Sequence, residues 1–278
     1  MLNEIKKASA NFSPKQLKIA QYLLNNYTKV AFMTSTTLAN YAKVSEATVI
    51  RFATTLGYSG YHEFQSKLRK HVQTEISLLD RFSFNLDSDP GDVYTNVFTS
   101  EVNVINRTLT SENIKAMDLA VKLLGNKKEL FLIGTQASGS LVTYAFNVMK
   151  KIFPRVFPIT ELSEQNLKLL SGAGRDSIAF VYSFARYSKA TICLYNELIS
   201  RKITTVSFTN SHLSPTAKGV DALIVIPNEN SYFTSSFAAV LIAINALAVK
   251  TSYAYKEQTK ENMAQFDKYS SDYDVFVK

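Results

Sequence analysis

From residue 129 onward the chain alternates short, uniformly apolar runs with longer stretches of helical periodicity. The runs cover residues 130–133, 156–159, 178–182, 204–208 and 223–226, and polar or turn residues bound each of them. A strand that is apolar on both faces needs cover on both faces. Strands of this kind separated by helices dictate a parallel sheet between two helical layers. Residues 93–278 are therefore expected to form an αβα sandwich on a five-stranded parallel sheet. The N-terminal part reads as helices instead, so the fold class is α plus α/β. A chain of 278 residues, 46% of them hydrophobic, has material for more than one core.

Residues 13–16, Ser-Pro-Lys-Gln, are a helix start. Ser13 can cap, Pro14 suits the first helical position, and Gln16 can reach back as in a capping box. Leu17, Ala20, Leu24 and Tyr27 then recur at helical spacing. A second helix is expected from Thr36 or Thr37 and carries Leu38, Ala39 and Ala42. A third follows Ser45 and stops at Gly57, a residue suited to a helix C-terminus. A fourth covers 61–74. Together these make a helical domain over 1–78. Residues 79–92 gather Asp, Ser, Pro and Gly and read as a linker. Two helices, near 92–108 and 112–124, lead into the sheet. The stretch 237–249 is apolar but interrupted by Asn245 and too short for a membrane span, so it reads as a buried helix. The tail after Tyr253 is polar and Tyr-rich, compatible with a helical extension. With no apolar leader at the N-terminus, a soluble cytoplasmic protein is expected. The single cysteine, Cys193, excludes an internal disulfide and a cysteine-based metal cluster.

The segment 37–52 has the pattern of a helix-turn-helix. Small Ala39 and Ala42 let two helices approach closely, Val44 fills the corner, and Ser45 starts the next helix at its N-cap. Val49, Phe52, Ala53 and Leu56 fall on one face of that helix and form its buried side. Thr48, Arg51 and Thr55, with Ala47 and Thr54, fall on another. Short side chains permit close approach to a major groove, hydroxyls can meet phosphates or base edges, and Arg51 can pair with guanine or phosphate. Of the net charge of +8, residues 1–80 contribute +5, from ten Lys/Arg and five acids. A polyanionic partner and a merely solvated basic surface fit that excess equally well. Lys67, Arg69 and Lys70 are likewise placed to meet phosphate or water.

In the second half, Gly134-Thr135-Gln136-Ala137-Ser138-Gly139-Ser140 follows the first strand and enters a helix. A small-residue loop at a helix N-terminus can bind an anion, because backbone N–H groups and the positive helix end converge there. Many such turns are rich in Gly and Ser for steric reasons alone. A second loop, Ser183-Phe184-Ala185-Arg186-Tyr187-Ser188-Lys189-Ala190-Thr191, also enters a helix after a strand. Two such loops at the C-terminal ends of parallel strands would line one crevice.

The stretch from Phe12 to Leu68 resembles the N-terminal domain of the RpiR family of bacterial transcription regulators. The match is densest over Val44-Ser45-Glu46-Ala47-Thr48-Val49-Ile50-Arg51-Phe52 and Leu56-Gly57-Tyr58-Ser59-Gly60-Tyr61. Residues 115–250 resemble the sugar isomerase (SIS) domain of such regulators, through Gly134, Ser138, Ser183-Phe184, Arg186-Tyr187-Ser188, Thr191, Thr209-Asn210, Ser214-Pro215 and Asp221. The resemblance implies double-stranded operator DNA near Thr37, Ser45, Glu46, Ala47, Thr48 and Arg51, with Tyr58, Tyr61 and Phe64 in the core. It implies a phosphorylated sugar at Gly134, Thr135, Gln136, Ser138, Ser183, Arg186 and Ser188. The sequence shows no metal-ligand spacing, and no metal or cofactor is expected. It also implies a homo-oligomer, a dimer or a tetramer. In the family's Ser-x-Ser-Gly-x-Thr loop the second serine is Ala185 here and the glycine is Arg186. That exchanges a hydroxyl for a cation and leaves ligand identity open. Two alternatives stand beside the regulator. One is a sugar-phosphate isomerase, for which His212, Glu161 or Glu164 would be the base, although none sits in a catalytic motif. The other is a DNA-binding protein whose SIS domain only oligomerises.

Overall fold

A computed structural model describes residues 12–72, 92–228 and 236–275, together with Ile5, Ala8, Ser9 and Leu79. The chain divides into two compact units; the first comprises Met1–Gly91 and the second begins at Asp92. The expected linker, 79–92, lies outside the described residues except for exposed Leu79 and for Asp92. Asp92 caps the next helix, its carboxylate accepting from the Thr95 amide at 3.1 Å.

The first unit contains α1 (Pro14–Val30), α2 (Ser35–Ala42), α3 (Glu46–Thr55) and α4 (Tyr61–Val72). The capping box at the head of α1 forms as expected from Ser13 and Gln16, with Pro14 at the first helical position. The buried row of α1 is Ile19, Ala20, Leu23 and Val30. Of the residues picked out by spacing alone, Ala20 is buried, Leu24 and Tyr27 pack at the core's edge, and Leu17 is exposed. Helix α2 starts a residue or two before Thr36 or Thr37, because Thr34 caps it by accepting from the Thr37 amide at 3.1 Å. Phe12, Phe52 and Phe64 form the aromatic centre of this unit, packed edge to face at 5.2 and 6.0 Å. Tyr61 and Phe64 are buried and Tyr58 packs on Phe64. The expected end of α4 at 74 lies outside the described residues.

The second unit opens with α5 (Val93–Thr108) and α6 (Ser111–Leu124). There follow β1 (Glu129–Ile133), α7 (Ser138–Met149), β2 (Val156–Ile159), α8 (Glu164–Ser171), β3 (Ser177–Ser183), α9 (Lys189–Ser200), β4 (Thr204–Thr209) and β5 (Ala222–Val225). Helices α10 (Ala238–Ala254) and α11 (Lys256–Asp272) close it. The five strands are parallel in the order β2-β1-β3-β4-β5. Alternate residues of each strand feed two cores. Leu130, Leu132, Ile178, Phe180, Val206 and Phe208 pack under α6, α7 and α10, whereas Phe131, Ile133, Ala179 and Val181 pack under α9. That division is why the strands read as continuous apolar runs.

One edge of the sheet is closed by a side chain. The buried Asn113 of α6 donates to the Val225 carbonyl at 2.7 Å and accepts from the Val225 amide at 2.9 Å. It therefore stands in for a sixth strand beside β5. No single helix among the described residues is long and apolar enough to cross a membrane.

Candidate functional site

Helix α3 divides cleanly into two arcs. Thr48, Val49, Phe52 and Ala53 are buried; Glu46, Ala47, Ile50, Arg51, Thr54 and Thr55 are exposed. Both arcs follow from the advance of about 100° per residue. The expected outward face is thus shifted around the helix. Thr48, expected to meet DNA, is only 7% exposed, and its hydroxyl shares a 2.8 Å hydrogen bond with that of Ser45. Ser45 occupies the N-cap position, but its hydroxyl bonds Thr48 rather than a helix amide. A locally satisfied hydroxyl can be buried at little cost, so polarity alone misplaces Thr48.

The polar groups of the exposed arc are largely held within the protein. Glu46 accepts from Ser35 Oγ at 2.5 Å, tying the start of α3 to the start of α2. That bond and one from Thr36 hold its carboxyl below the usual carboxylate range. Arg51 Nε donates to the Ala47 carbonyl at 3.3 Å. The hydroxyls of Thr54 and Thr55 donate to the Arg51 carbonyl at 2.9 and 2.8 Å, and Gln16 of α1 donates to Thr55 Oγ1 at 2.9 Å. Thr37 is half-buried, its hydroxyl 2.8 Å from that of Thr34. Side chains of Arg69 and Lys70 lie outside the described residues.

In the second unit, the sheet order places β1 beside β3, where the connections leave in opposite directions. This is the switch point at which open α/β sheets form a crevice beyond the carboxyl ends of the strands. The two expected loops meet there. Thr135 Oγ1 donates to Ser188 Oγ at 2.6 Å and lies 2.9 Å from Thr191 Oγ1, which accepts from the Thr135 amide at 3.0 Å. Gly134 is at the tightest point: a Cβ there would lie 3.0 Å from the Ser138 carbonyl and 3.1 Å from that of Tyr182. Gln136 takes a left-handed backbone at φ 56°, and α7 begins at Ser138, two residues before the end of the glycine–serine stretch. Its N-cap, Ala137, offers no side-chain acceptor to the first-turn amides. Ser138 and Ser183 are buried, and Ser183 Oγ has no hydrogen-bond partner; Arg186 is exposed and Ser188 half-buried.

Asn210, at the end of β4, braces the second loop. Its Oδ1 accepts from the Ala185 amide at 3.2 Å and from the Tyr187 hydroxyl at 3.0 Å. Burial raises the Tyr187 phenol above its ordinary range, so it remains a donor at neutral pH. Among the described residues no group of three or more His, Cys, Asp or Glu could hold a metal ion.

Known proteins bear on both units. The model of the rpiR-family helix-turn-helix domain matches residues 1–75, and that of the SIS domain matches residues 123–250. An HTH-type transcriptional regulator of Caldanaerobacter subterraneus is 27% identical over 245 residues, spanning 87% of this chain and 86% of its own. The chain carries an rpiR-family helix-turn-helix domain followed by a SIS domain. Solved structures agree on the fold. The Vibrio vulnificus NanR protein complexed with ManNAc-6P aligns with a TM-score of 0.61 at 22% identity, over 100% of this chain and 99% of that one. The sugar isomerase domain of an RpiR transcription factor from Sphaerobacter thermophilus aligns with a TM-score of 0.60 at 19% identity, covering 65% of this chain and 99% of its own.

Sequence reasoning did not place Tyr187, Thr191 or Asn210 in the crevice, or Ile50 on the exposed arc of α3. For Thr191 a signal existed, a hydroxyl one turn into the helix after the second loop. For Asn210 the signal was the SIS resemblance alone, because its bonding partners lie 23 and 25 residues away in the chain.

Proposed function

We propose that this regulator binds an operator through α3 and that a phosphorylated sugar, held where β1 and β3 end, changes that binding. The observation that carries the reading is the lacing of the two loops through Thr135, Ser188 and Thr191 at the switch point of the sheet. A phosphate needs several converging donors. Here the N-terminus of α7, the Ser188 hydroxyl, whose oxygen accepts from Thr135 and whose proton is left free, and the unpartnered Ser183 hydroxyl would supply them. Gly134 lets the backbone approach closely, Gln136 and Ser138 border the same turn, and exposed Arg186 adds a positive charge. The Vibrio vulnificus relative with ManNAc-6P bound supports a phosphorylated amino sugar as the first ligand class to try.

The reading involves no catalysis; a relative that spans 87% of the chain is named a transcriptional regulator. It also requires no metal or cofactor. Operator recognition by a homo-oligomer, dimer or tetramer, would present paired recognition helices to two related half-sites. The sugar phosphate acts by binding one arrangement of that oligomer better than another. A regulator of chromosomal DNA of this kind works in the cytoplasm.

The test uses the full-length chain, ManNAc-6P and a panel of other sugar phosphates. A ligand at one hundred times its Kd raises stability by about 2.7 kcal/mol, read as a rise in Tm. The same ligand should shift a gel-retardation titration with operator DNA. A Ser138→Ala, Ser183→Ala double variant is expected to bind DNA normally and to lose the ligand response. A normal response in that variant would move the ligand elsewhere. No Tm rise with any sugar phosphate would leave the SIS domain an oligomerisation module, and turnover of a panel member would make it an enzyme.

A further inference from the structure

Ile50 is the one large apolar side chain on the exposed arc of α3. It is 43% exposed and belongs neither to the core of the helical unit nor to its partly buried fringe. Its neighbours on the arc are Glu46 and Ala47 one turn before, Arg51 beside it and Thr54 one turn after. Three of these have polar groups already engaged inside the protein: Glu46 with Ser35, Arg51 Nε with Ala47, and Thr54 with the Arg51 carbonyl. What the middle of the arc presents outward is therefore an apolar step, Ala47 and Ile50, flanked by the Arg51 guanidinium. A β-branched residue at an exposed helical position is a poorer helix former than Lys or Glu, so neither packing nor helix propensity accounts for it.

In the major groove the base edges carry donors and acceptors, and one apolar group, the 5-methyl of thymine. We infer that Ile50 reads a thymine methyl in each operator half-site, with Ala47 permitting the close approach that the contact needs. This rests on the reading of α3 as the recognition helix. It assigns part of the sequence specificity to a residue without a hydrogen-bonding group. It also removes Thr48, whose hydroxyl is buried against Ser45, from direct readout.

The experiment takes the full-length chain and selects its preferred DNA from a random duplex library. Each thymine of the enriched half-site is then replaced by deoxyuridine, which removes the methyl group and leaves every hydrogen-bonding edge intact. Binding is measured for the wild type, Ile50→Val, Ile50→Ala and Arg51→Ala, with thermal melts to show that each variant is folded. At one thymine position the replacement should weaken wild-type binding about fourfold, the equivalent of one methyl group's burial. Ile50→Val should retain most of that sensitivity, and Ile50→Ala should show none. Equal sensitivity in wild type and Ile50→Ala, or no sensitive thymine, overturns the inference while a weakened Arg51→Ala keeps α3 at the DNA. If Arg51→Ala and Ile50→Ala both bind as wild type, or if selection enriches no sequence, the recognition-helix reading fails with it.

Discussion

Phe52 and Arg51 are neighbours in the chain, yet one ring is sealed in the core while the other side chain stands in solvent. In the α/β unit Thr135 crosses that division. Thr135 at once holds its own loop to the next and stands in the candidate ligand crevice. The helical unit builds its surface from the free side of a regular element, so stability and recognition fall on different residues. The α/β unit builds its crevice from loops at strand ends, where Thr135 and Ser188 line the candidate site and also hold the loops together. A mutation can therefore separate the two roles in the first unit and will mix them at Thr135 and its neighbours in the second.

The largest expected effect tests the separable case. Phe52→Ala should cost about 3–5 kcal/mol, because it empties the centre of a ring cluster with Phe12 and Phe64. Denaturant unfolding of the helical unit measures it. Arg51→Ala, one residue away, should change stability by no more than about 0.5 kcal/mol. It should nevertheless weaken operator binding about tenfold or more, the loss of one good charged contact to a base or phosphate. Wild-type affinity in Arg51→Ala would break the assignment of the exposed arc.

How much of this was legible in the sequence follows the same division. The five strands were visible because a sheet covered on both faces leaves continuous apolar runs, and each observed strand lies within a residue or so of its run. The head of α1 was visible because Ser13, Pro14 and Gln16 act on backbone groups within one turn. The arc of α3 was only half visible. The spacing located Val49, Phe52 and Ala53 in the core, but a rule that sends polar residues outward exposed Thr48 and ignored Ile50. Contacts distant in sequence were not legible at all. Asn113 closes the sheet through Val225, 112 residues on, and its own neighbourhood carries no hint of that. In the crevice, the meeting of the two loops was readable from topology, whereas the bonding of Thr135 to Ser188 and Thr191 was not.

The inseparable case is tested next. Gly134→Ala places a methyl group against two backbone carbonyls that cannot swing away. It should cost about 1–3 kcal/mol and, by pushing the first loop off the second, weaken sugar-phosphate binding as well. Thr135→Val keeps the shape and deletes the hydroxyl that joins Ser188 and Thr191. A loss of about 1–2 kcal/mol is expected, together with a weaker effector response. Thermal melts with and without the ligand measure both quantities on one sample. If Thr135→Val abolished the response with no change in stability, the loop site would be as divisible as the helix, and the comparison would fail.

The smallest effect sharpens the comparison from the other side. Lys43 ends α2 in the left-handed conformation at φ 53° and is exposed. An L side chain pays about 1 kcal/mol there that glycine does not. Glycine returns part of the gain through its freer unfolded chain, leaving about 0.5 kcal/mol in favour of Lys43→Gly. In a unit of this size that is a rise in Tm of about 2–4 °C. The same substitution removes a positive charge at the turn into α3. If that charge rests on a phosphate, operator binding weakens and the slope of log K against log salt falls by about 1. A more stable protein with weaker, less salt-dependent binding would show the helical unit giving up stability at Lys43 in order to place a cation on DNA. Unchanged affinity with the same rise in Tm would confine recognition to α3 itself.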